Sequence, residues 1–297
     1  METSHVAGPN PTAPVVMTEN PTHLIPTMQS IAREAGDLLM SHFRRHVKIE
    51  YKGDADLVTI ADRQSETLIL ERIRKHFPDH DVMGEEGSRI DSGADYKWYV
   101  DPLDGTTNFA HGFPVFAVSL AVEFQGQRAA GVVYDPTRDE MFSAAKGQGA
   151  QLNGEPIRVS ATSRLAECLV GTGFPSHKRH KNPNIYFYHQ ITLKTHGVRR
   201  AGSAALDLCN VASGRFDAFW EFNLNPWDTA AGVLIAEEAG GRVTNFSGGP
   251  FERDSRETLA SNSLVHTALV QEFQEIFAGR GLQELPSPIE YAKSSSH

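Results

Sequence analysis

The chain is predicted to be built in two parts, an α+β half followed by an α/β half, and three observations predict this. Apolar residues recur at helical spacing in two segments before residue 80. Between Val115 and Val159 short apolar runs are punctuated by turn dipeptides, as in an antiparallel meander. Beyond Ser160 strand-like and helix-like segments alternate, so the boundary falls near residues 155 to 165.

Taken in order, residues 1–22 are rich in Pro, Thr and Asn and are expected to be a disordered tail. The ordered first half then covers 23–160. From Pro26 the residues Met28, Ile31, Ala35, Leu38, Leu39 and Phe43 line one helical face, with Pro near the start. The piece EYKGDADLVT is extended, and a second helix runs from about Ala61 to Phe77, stopping at Pro78. DVMGEEGS is a short strand feeding a loop, and KWYVD is a compact apolar strand. The meander has turns at Gln125-Gly126, Asp135-Pro136, Gly147 to Gly149 and Asn153-Gly154. In the second half, 161–283, strands are expected at ECLVGTG, GVRRAG, DAFWEF and GRVTNF. Helices are expected over about Asn184 to Thr195, Ala204 to Ser213, Thr229 to Ala239 and Ser263 to Ala278, with Gly214 and Gly240 at C-cap positions. Residues 284–297 are expected to be a flexible C-terminal tail.

Composition excludes several functions. The 297 residues suffice for a sizeable core, and 40% hydrophobic with 22% charged residues is ordinary for a globular protein. A net charge of -9 without a basic stripe argues against nucleic acid as a partner. No apolar run approaches the roughly 20 residues of a membrane span, and the start lacks a secretory signal pattern, so no membrane partner and a cytoplasmic location are expected. Cys168 and Cys209 are the only cysteines and are expected to be small buried hydrophobes.

The chemistry gathers in YVDPLDGTTNF, residues 99–109. Asp101 is placed at the carboxyl end of a strand that Pro102 blocks, Asp104-Gly105 makes a turn, and Thr106, Thr107 and Asn108 suit a first helical turn. Free N–H groups at such a turn favour an anion, which two carboxylates would repel unless a divalent cation lay between them. Carboxylates, a cation and a phosphate-sized nest together point to metal-assisted phosphoryl chemistry. Taken singly, Asp-Pro and Asp-Gly are also common turn dipeptides. An aspartyl nucleophile two residues before Asp104 is excluded, because that residue is Pro102, so the attacking group should be water. Further ligands are offered by Glu85 and Glu86 in MGEEGS and by Asp228 in NPWDTAAG; Thr59 and Asp62 in DLVTIAD stand at a helix start. Solvated surface acids or plain helix capping would account for each of these taken alone.

GEE, DPLDGTTNF, GSAALDL and WDTAAG, in this order and spacing, resemble the inositol monophosphatase family over about residues 25 to 275. The resemblance implies a layered αβαβα sandwich, a homodimer, dependence on two or three Mg²⁺ per site and inhibition by lithium. Carried over by position, Glu85, Asp101 and the Leu103 carbonyl would hold one metal, and Asp101, Asp104 and Asp228 a second. Glu85 is the glutamate of the pair that aligns. Thr106 and Asp62 would act with Glu85 on the attacking water, while Gly105 and Thr106 would give N–H groups to the phosphate. Lys52 falls where the family often has a basic residue.

The substrate implied is a small phosphorylated polyol or alcohol, foremost myo-inositol 1-phosphate. Its contacts would come from Glu85, Leu103, Asp104, Gly105, Thr106 and Asp228, from Gly202, Ser203 and Ala204, and from Glu221, seven residues before Asp228. Glu221 could equally accept the ammonium of histidinol phosphate. Fructose 1,6-bisphosphate is a further alternative on the same metal core; relatives acting on 3'-phosphoadenosine 5'-phosphate usually carry insertions that are absent here. The basic loop 176–184 could reach a second phosphate or be plain solvated surface. A catalytically silent member with a regulatory or binding role is the other class, and the presence of every expected carboxylate weighs against it.

Overall fold

The computed structural model describes residues 20–43, 49–53, 56–174, 182–285 and 287–289. Most of the expected N-terminal tail (1–19), the greater part of the basic loop (176–181) and the Lys52 side chain lie outside the described residues. Asn20 caps a 3₁₀ turn, Pro21–Leu24, that leads into α1, Ile25–Phe43. Met28, Ile31, Ala32, Ala35 and Leu39 of α1 are buried, as their spacing dictates. The extended piece is a hairpin, β1 (Ile49–Gly53) against β2 (Asp56–Thr59). It delivers Thr59 as N-cap of α2, Ile60–His76, with Asp62 completing a capping box.

The larger sheet has eight strands in the order β10-β9-β8-β7-β6-β5-β3-β4. Its core strands are β3 (Asp81–Gly84), β5 (Tyr96–Asp104), β6 (Ala117–Phe124), β7 (Gln127–Asp135) and β8 (Glu140–Ala145). The short β4 (Arg89–Ile90), β9 (Ala150–Leu152) and β10 (Glu155–Ile157) complete it. From β5 to β10 it is the antiparallel meander that the turn dipeptides predict; Asn153 and Gly154 both have positive φ, as a tight hairpin requires. The parallel pairing of β3 with β5 sets Gly84 opposite Val100, so the ends of the two strands reach the same edge.

The smaller sheet runs β12-β11-β13-β15-β14. Its strands are β11 (Leu169–Thr172), β12 (Gly197–Arg199), β13 (Ala218–Phe222), β14 (Arg242–Thr244) and β15 (Glu257–Ser261). β11 is parallel to both its neighbours, whereas β15 is antiparallel to β13 and β14, so this half is mixed rather than a pure α/β unit.

Five layers result. α1 and α2 cover the outer face of the large sheet, burying Trp98, Val118, Leu120 and Val132. α5 (Ala204–Ala212) and α6 (Pro226–Glu238) fill the space between the sheets with a core that includes Leu208, Val233, Leu234, Phe142 and Phe219. α4 (Asn184–Thr192) and α7 (His266–Phe277) close the outer face of the small sheet over Phe187, Trp220, Phe246 and Phe273. Each such large side chain, fully buried, contributes roughly 1.5–3 kcal/mol, which makes these interlayer cores the main stabilising term. A Cβ at Gly131 would stand 3.0 Å from the Ala231 Cα, so glycine there lets α6 lie directly on β7. Among the described residues, no helix is long and apolar enough to cross a membrane.

Three local expectations are corrected. Pro102 does not end its strand: β5 runs on to Asp104 through a bulge, where a residue without an N–H is tolerated. α6 begins at Pro226, so Asp228 lies inside its first turn instead of just before the helix. Strand β15 was not foreseen.

Candidate active site

The bulge in β5 shapes the corner. Asp101 pairs with Ser119 and Asp104 with Ala117, three steps on β5 against two on β6. The extra residue interrupts the regular ladder between Asp101 and Asp104. Asp101, only 1% exposed, accepts the Leu103 N–H at 3.0 Å, which fixes its rotamer. Gly105 follows with φ 97°, a left-handed conformation, and a Cβ there would lie 2.9 Å from the Val115 carbonyl oxygen. Only glycine fits, and α3 (Thr106–Ala110) can start immediately.

α2 supports this corner from below. Asp62 Oδ2 accepts the Thr59 N–H at 2.8 Å and its hydroxyl at 2.6 Å. Its Oδ1 stands 3.1 Å from Thr106 Oγ1, which is also 3.1 Å from the Leu103 carbonyl oxygen. Ser65 donates to the Pro102 carbonyl at 3.0 Å. Burial raises the Asp62 pKa, with the Thr59 and Thr106 hydrogen bonds opposing the shift.

Asp104 is fixed from the other half of the molecule. Its Oδ2 accepts the Ser203 hydroxyl at 2.6 Å and the Ala205 N–H at 2.7 Å, at the start of α5. Ser203 Oγ also accepts the Leu206 N–H at 3.3 Å as the N-cap of that helix. Asn108 Nδ2 donates to the carbonyls of Val115 (2.8 Å) and Ala201 (2.9 Å), tying α3 to the segment that carries Gly202. The Asp104–α5 link is not expected from the sequence, which offers Asn108 only as a first-turn helix residue. Their only sequence signal is that GSAALD and TTN are capping-type strings. The Ser203 hydroxyl, expected to face substrate, is thus engaged inside the protein.

Asp228 Oδ2 accepts the Asn225 backbone N–H at 2.6 Å and its side-chain amide at 3.2 Å. Glu85 follows β3 directly, its N–H bonded to the Val100 carbonyl at 3.1 Å, which sets it beside Asp101. The Glu85 carboxylate lies close enough to raise the Asp101 pKa, and two carboxylates so placed repel unless a proton or a cation lies between them. Asp101 is pushed well above the usual carboxylate range, first by burial and then by the charges of Glu85, Asp104 and Asp228. Asp228 is pushed up to about 8 by burial and, more weakly, by Asp104 and Glu221, against the Asn225 hydrogen bonds. Burial raises Asp104 also, opposed by Ser203, Ala205 and Ala204.

The structure therefore brings Glu85, Asp101, Asp104 and Asp228 within one another's electrostatic reach, with the Leu103 carbonyl and the Asp62–Thr106 pair at the edge. These are hard oxygen donors of the kind that hold Mg²⁺. Their mutual repulsion is what a divalent cation would relieve. Among the described residues, no three His, Cys, Asp or Glu side chains close into a finished metal cage, so the donor set is convergent but open.

Glu221 is 8% exposed and lies over Gly173, where a Cβ would come within 2.0 Å of its carboxylate. It is pushed up to about 8, chiefly by burial and then by Asp104, with Arg200 opposing. Asp207, 1% exposed on α5, leaves Oδ1 without a hydrogen-bond partner and feels both Glu221 and Asp104. Its sole sequence signal is an acid on a mostly apolar helix. Gly202 lies against Arg200 and Asn108, Ala204 is buried at the start of α5, and a cavity of about 620 Å³ opens beside Arg200 and Ala201 without including any of the metal-type carboxylates.

The profile of the inositol monophosphatase family matches residues 20–278. The chain is 45% identical over 240 residues to an inositol-1-monophosphatase of Synechocystis sp., covering 80% of this chain and 84% of that protein. It is 45% identical over 251 residues to the Nus factor SuhB of Pseudomonas aeruginosa, covering 82% and 93%. The solved inositol monophosphatase of Anabaena (Nostoc) sp. superposes with a TM-score of 0.79 at 40% identity, covering 86% of this chain and 97% of that one.

Proposed function

Because the chain belongs to the inositol monophosphatase family, we propose that it hydrolyses a small phosphate monoester, foremost myo-inositol 1-phosphate, in a Mg²⁺-dependent reaction. The observation that carries this is the crowding of Glu85, Asp104 and Asp228 around buried Asp101. Glu85, Asp101, the Leu103 carbonyl, Asp104 and Asp228 would hold Mg²⁺, which when bound supplies Lewis acidity toward the phosphate and lowers the pKa of a water.

The remaining work falls to the chain itself. Thr106 has one hydroxyl proton and gives it to Asp62 Oδ1 or the Leu103 carbonyl. Its oxygen lone pairs then stay open to a hydrogen bond from the attacking water. Because burial makes Asp62 more basic than an exposed aspartate, Thr106 is the route by which a water proton reaches Asp62 Oδ1. The N–H groups of Gly105 and Thr106 orient the phosphate. Glu221 offers a buried acceptor to a polyol hydroxyl, and Gly202 and Ala204 leave room for the ring. The same carboxylate would suit the ammonium of histidinol phosphate, so Glu221 does not separate those two substrates.

Phosphate release with Mg²⁺, compared across myo-inositol 1-phosphate, histidinol phosphate, fructose 1,6-bisphosphate and 3'-phosphoadenosine 5'-phosphate at equal low concentration, tests the assignment. The highest kcat/KM on inositol phosphate is expected. A lead by histidinol phosphate would keep the metal core and reassign Glu221 to an ammonium. A second reading, a regulatory binding role, is favoured by the relative named as a Nus factor. Metal binding without release from any ester would bring it forward. A homodimer and lithium inhibition complete the proposal by family resemblance.

A further inference from the structure

We infer that Glu66 is a positioning residue that holds Glu85 at the carboxylate cluster, an inference that rests on the metal-site reading above. Glu66 lies on α2 and is 3% exposed. Its two carboxylate oxygens grip one turn: Oε2 accepts the Glu86 N–H at 2.7 Å and Oε1 the Ser88 N–H at 3.0 Å. The turn is closed by the Gly84 N–H to the Ser88 carbonyl at 2.8 Å and joined to β5 by the Glu85 N–H to Val100. Glu85 is therefore held on one side by the strand that carries Asp101 and on the other by Glu66.

Gly84 shows how tight the clamp is. A Cβ there would stand 2.8 to 2.9 Å from the three atoms of the Glu66 carboxylate. Only a hydrogen fits between strand and acid, so the carboxylate cannot shift without moving the turn. The clamp also belongs to a larger device. Asp62, Ser65 and Glu66 stand at helical i, i+3 and i+4 positions and reach Thr106, the Pro102 carbonyl and the Glu85 turn respectively. One face of α2 thus sets the spacing between the Glu85 turn and the Asp101–Thr106 corner, two of the three segments that supply ligands. A buried acid that only satisfied stray amides would not need to take two N–H groups of the turn after Glu85 while packing against Gly84 just before it.

A matched control exists in the same sheet. Asp81, 2% exposed, accepts the N–H groups of Ser92 (2.7 Å), Gly93 (3.1 Å) and Ala94 (3.1 Å) in a loop that carries none of the site residues. Its loss should lower stability while leaving the metal cluster in place.

The test is Mn²⁺ binding to the full chain, followed by calorimetry and by the electron paramagnetic signal of free Mn²⁺, with no substrate present. Glu66→Gln turns an acceptor into an amide donor facing a backbone N–H. Supporting contacts around metal ligands are commonly worth 10–100-fold in affinity, so a loss of about tenfold or more is expected. Gly84→Ala displaces the same carboxylate with Glu66 intact and should weaken binding in the same direction, which keeps the test open if Glu66→Gln fails to fold. Asp81→Asn should lower Tm and leave Mn²⁺ affinity unchanged. Wild-type affinity in Glu66→Gln or, where that variant does not fold, in Gly84→Ala, or an equal loss in Asp81→Asn, would overturn the inference. A wild-type chain that binds no Mn²⁺ would instead overturn the metal-site reading and the inference with it.

Discussion

Ser203→Ala is the most informative single perturbation, because the structure gives this hydroxyl a different task from the one its sequence position implies. Ser203 Oγ donates to Asp104 at 2.6 Å and caps α5 by accepting the Leu206 N–H at 3.3 Å, while only 1% exposed. Loss of a serine cap costs about 0.5–2 kcal/mol. Loss of a hydrogen bond to a charged group costs about 1.5–3 kcal/mol. The variant should therefore lose roughly 2–5 kcal/mol of stability, a large share of the 5–15 kcal/mol of an ordinary domain. Glycine caps nearly as well as serine, so Ser203→Gly should retain the capping share and lose mainly the Asp104 hydrogen bond. Urea unfolding at constant m-value measures both. A loss in Ser203→Ala below about 0.5 kcal/mol, the range of surface substitutions, would refute the assignment and return the hydroxyl to the substrate.

Three further outcomes are expected. Asp104→Asn removes a ligand charge and should lower kcat at least about 10²-fold, the scale of lost electrostatic stabilisation; a variant retaining more than about a tenth of its activity would sink the site assignment. Gly173→Ala places a methyl against the Glu221 carboxylate and should raise KM for the phosphate ester while leaving Mn²⁺ affinity intact, as steady-state kinetics and calorimetry would show. His266 is fully buried between Thr244 and Ser261, each at 2.8 Å, and burial holds its pKa down to about 4 from 6.5. Above pH 6.5 neither folded nor unfolded chain protonates it; between 6.5 and 4 the unfolded chain takes the proton first, so stability falls as the solution is acidified. Thermal unfolding across that window should show a steeper fall in Tm for the wild type than for His266→Gln.

The His266 site also shows why some features escape inspection of the sequence. Thr244 gives its proton to the Asn245 carbonyl at 2.6 Å, so it must accept from His266 Nε2–H, and Nδ1 must accept from Ser261. Three residues from β14, β15 and the start of α7 compose that network, and nothing local announces it. Strand β15 escaped for a related reason. ETLAS alternates weakly and is a strand because β13 and β14 flank it on both sides. Helices α1 and α2 were legible because their apolar faces and caps are local, and the meander because its turns need particular residues at particular places. At Pro102 the local pattern misleads, because proline stops a regular ladder but a bulge removes the need for its missing N–H.

The same division runs through the site. The chemistry was legible in DPLDGTT, since hard oxygen donors beside a glycine turn have few other uses, and the family followed from the order of four short strings. The sequence by itself thus determined the donor types, the capping box at Thr59 and the class of fold, because each depends on residues within a few positions of one another, whereas the cap at Asn225 appeared only in the structure. Only the tertiary structure decided that Asp104 is anchored from α5, that Glu66 grips the Glu85 turn, and that the charge of buried Glu221 helps to raise the pKa of buried Asp207. These contacts join residues from 14 to about 100 positions apart, and their geometry is set by how the helical layers pack on the sheets, a global outcome that no local pattern specifies.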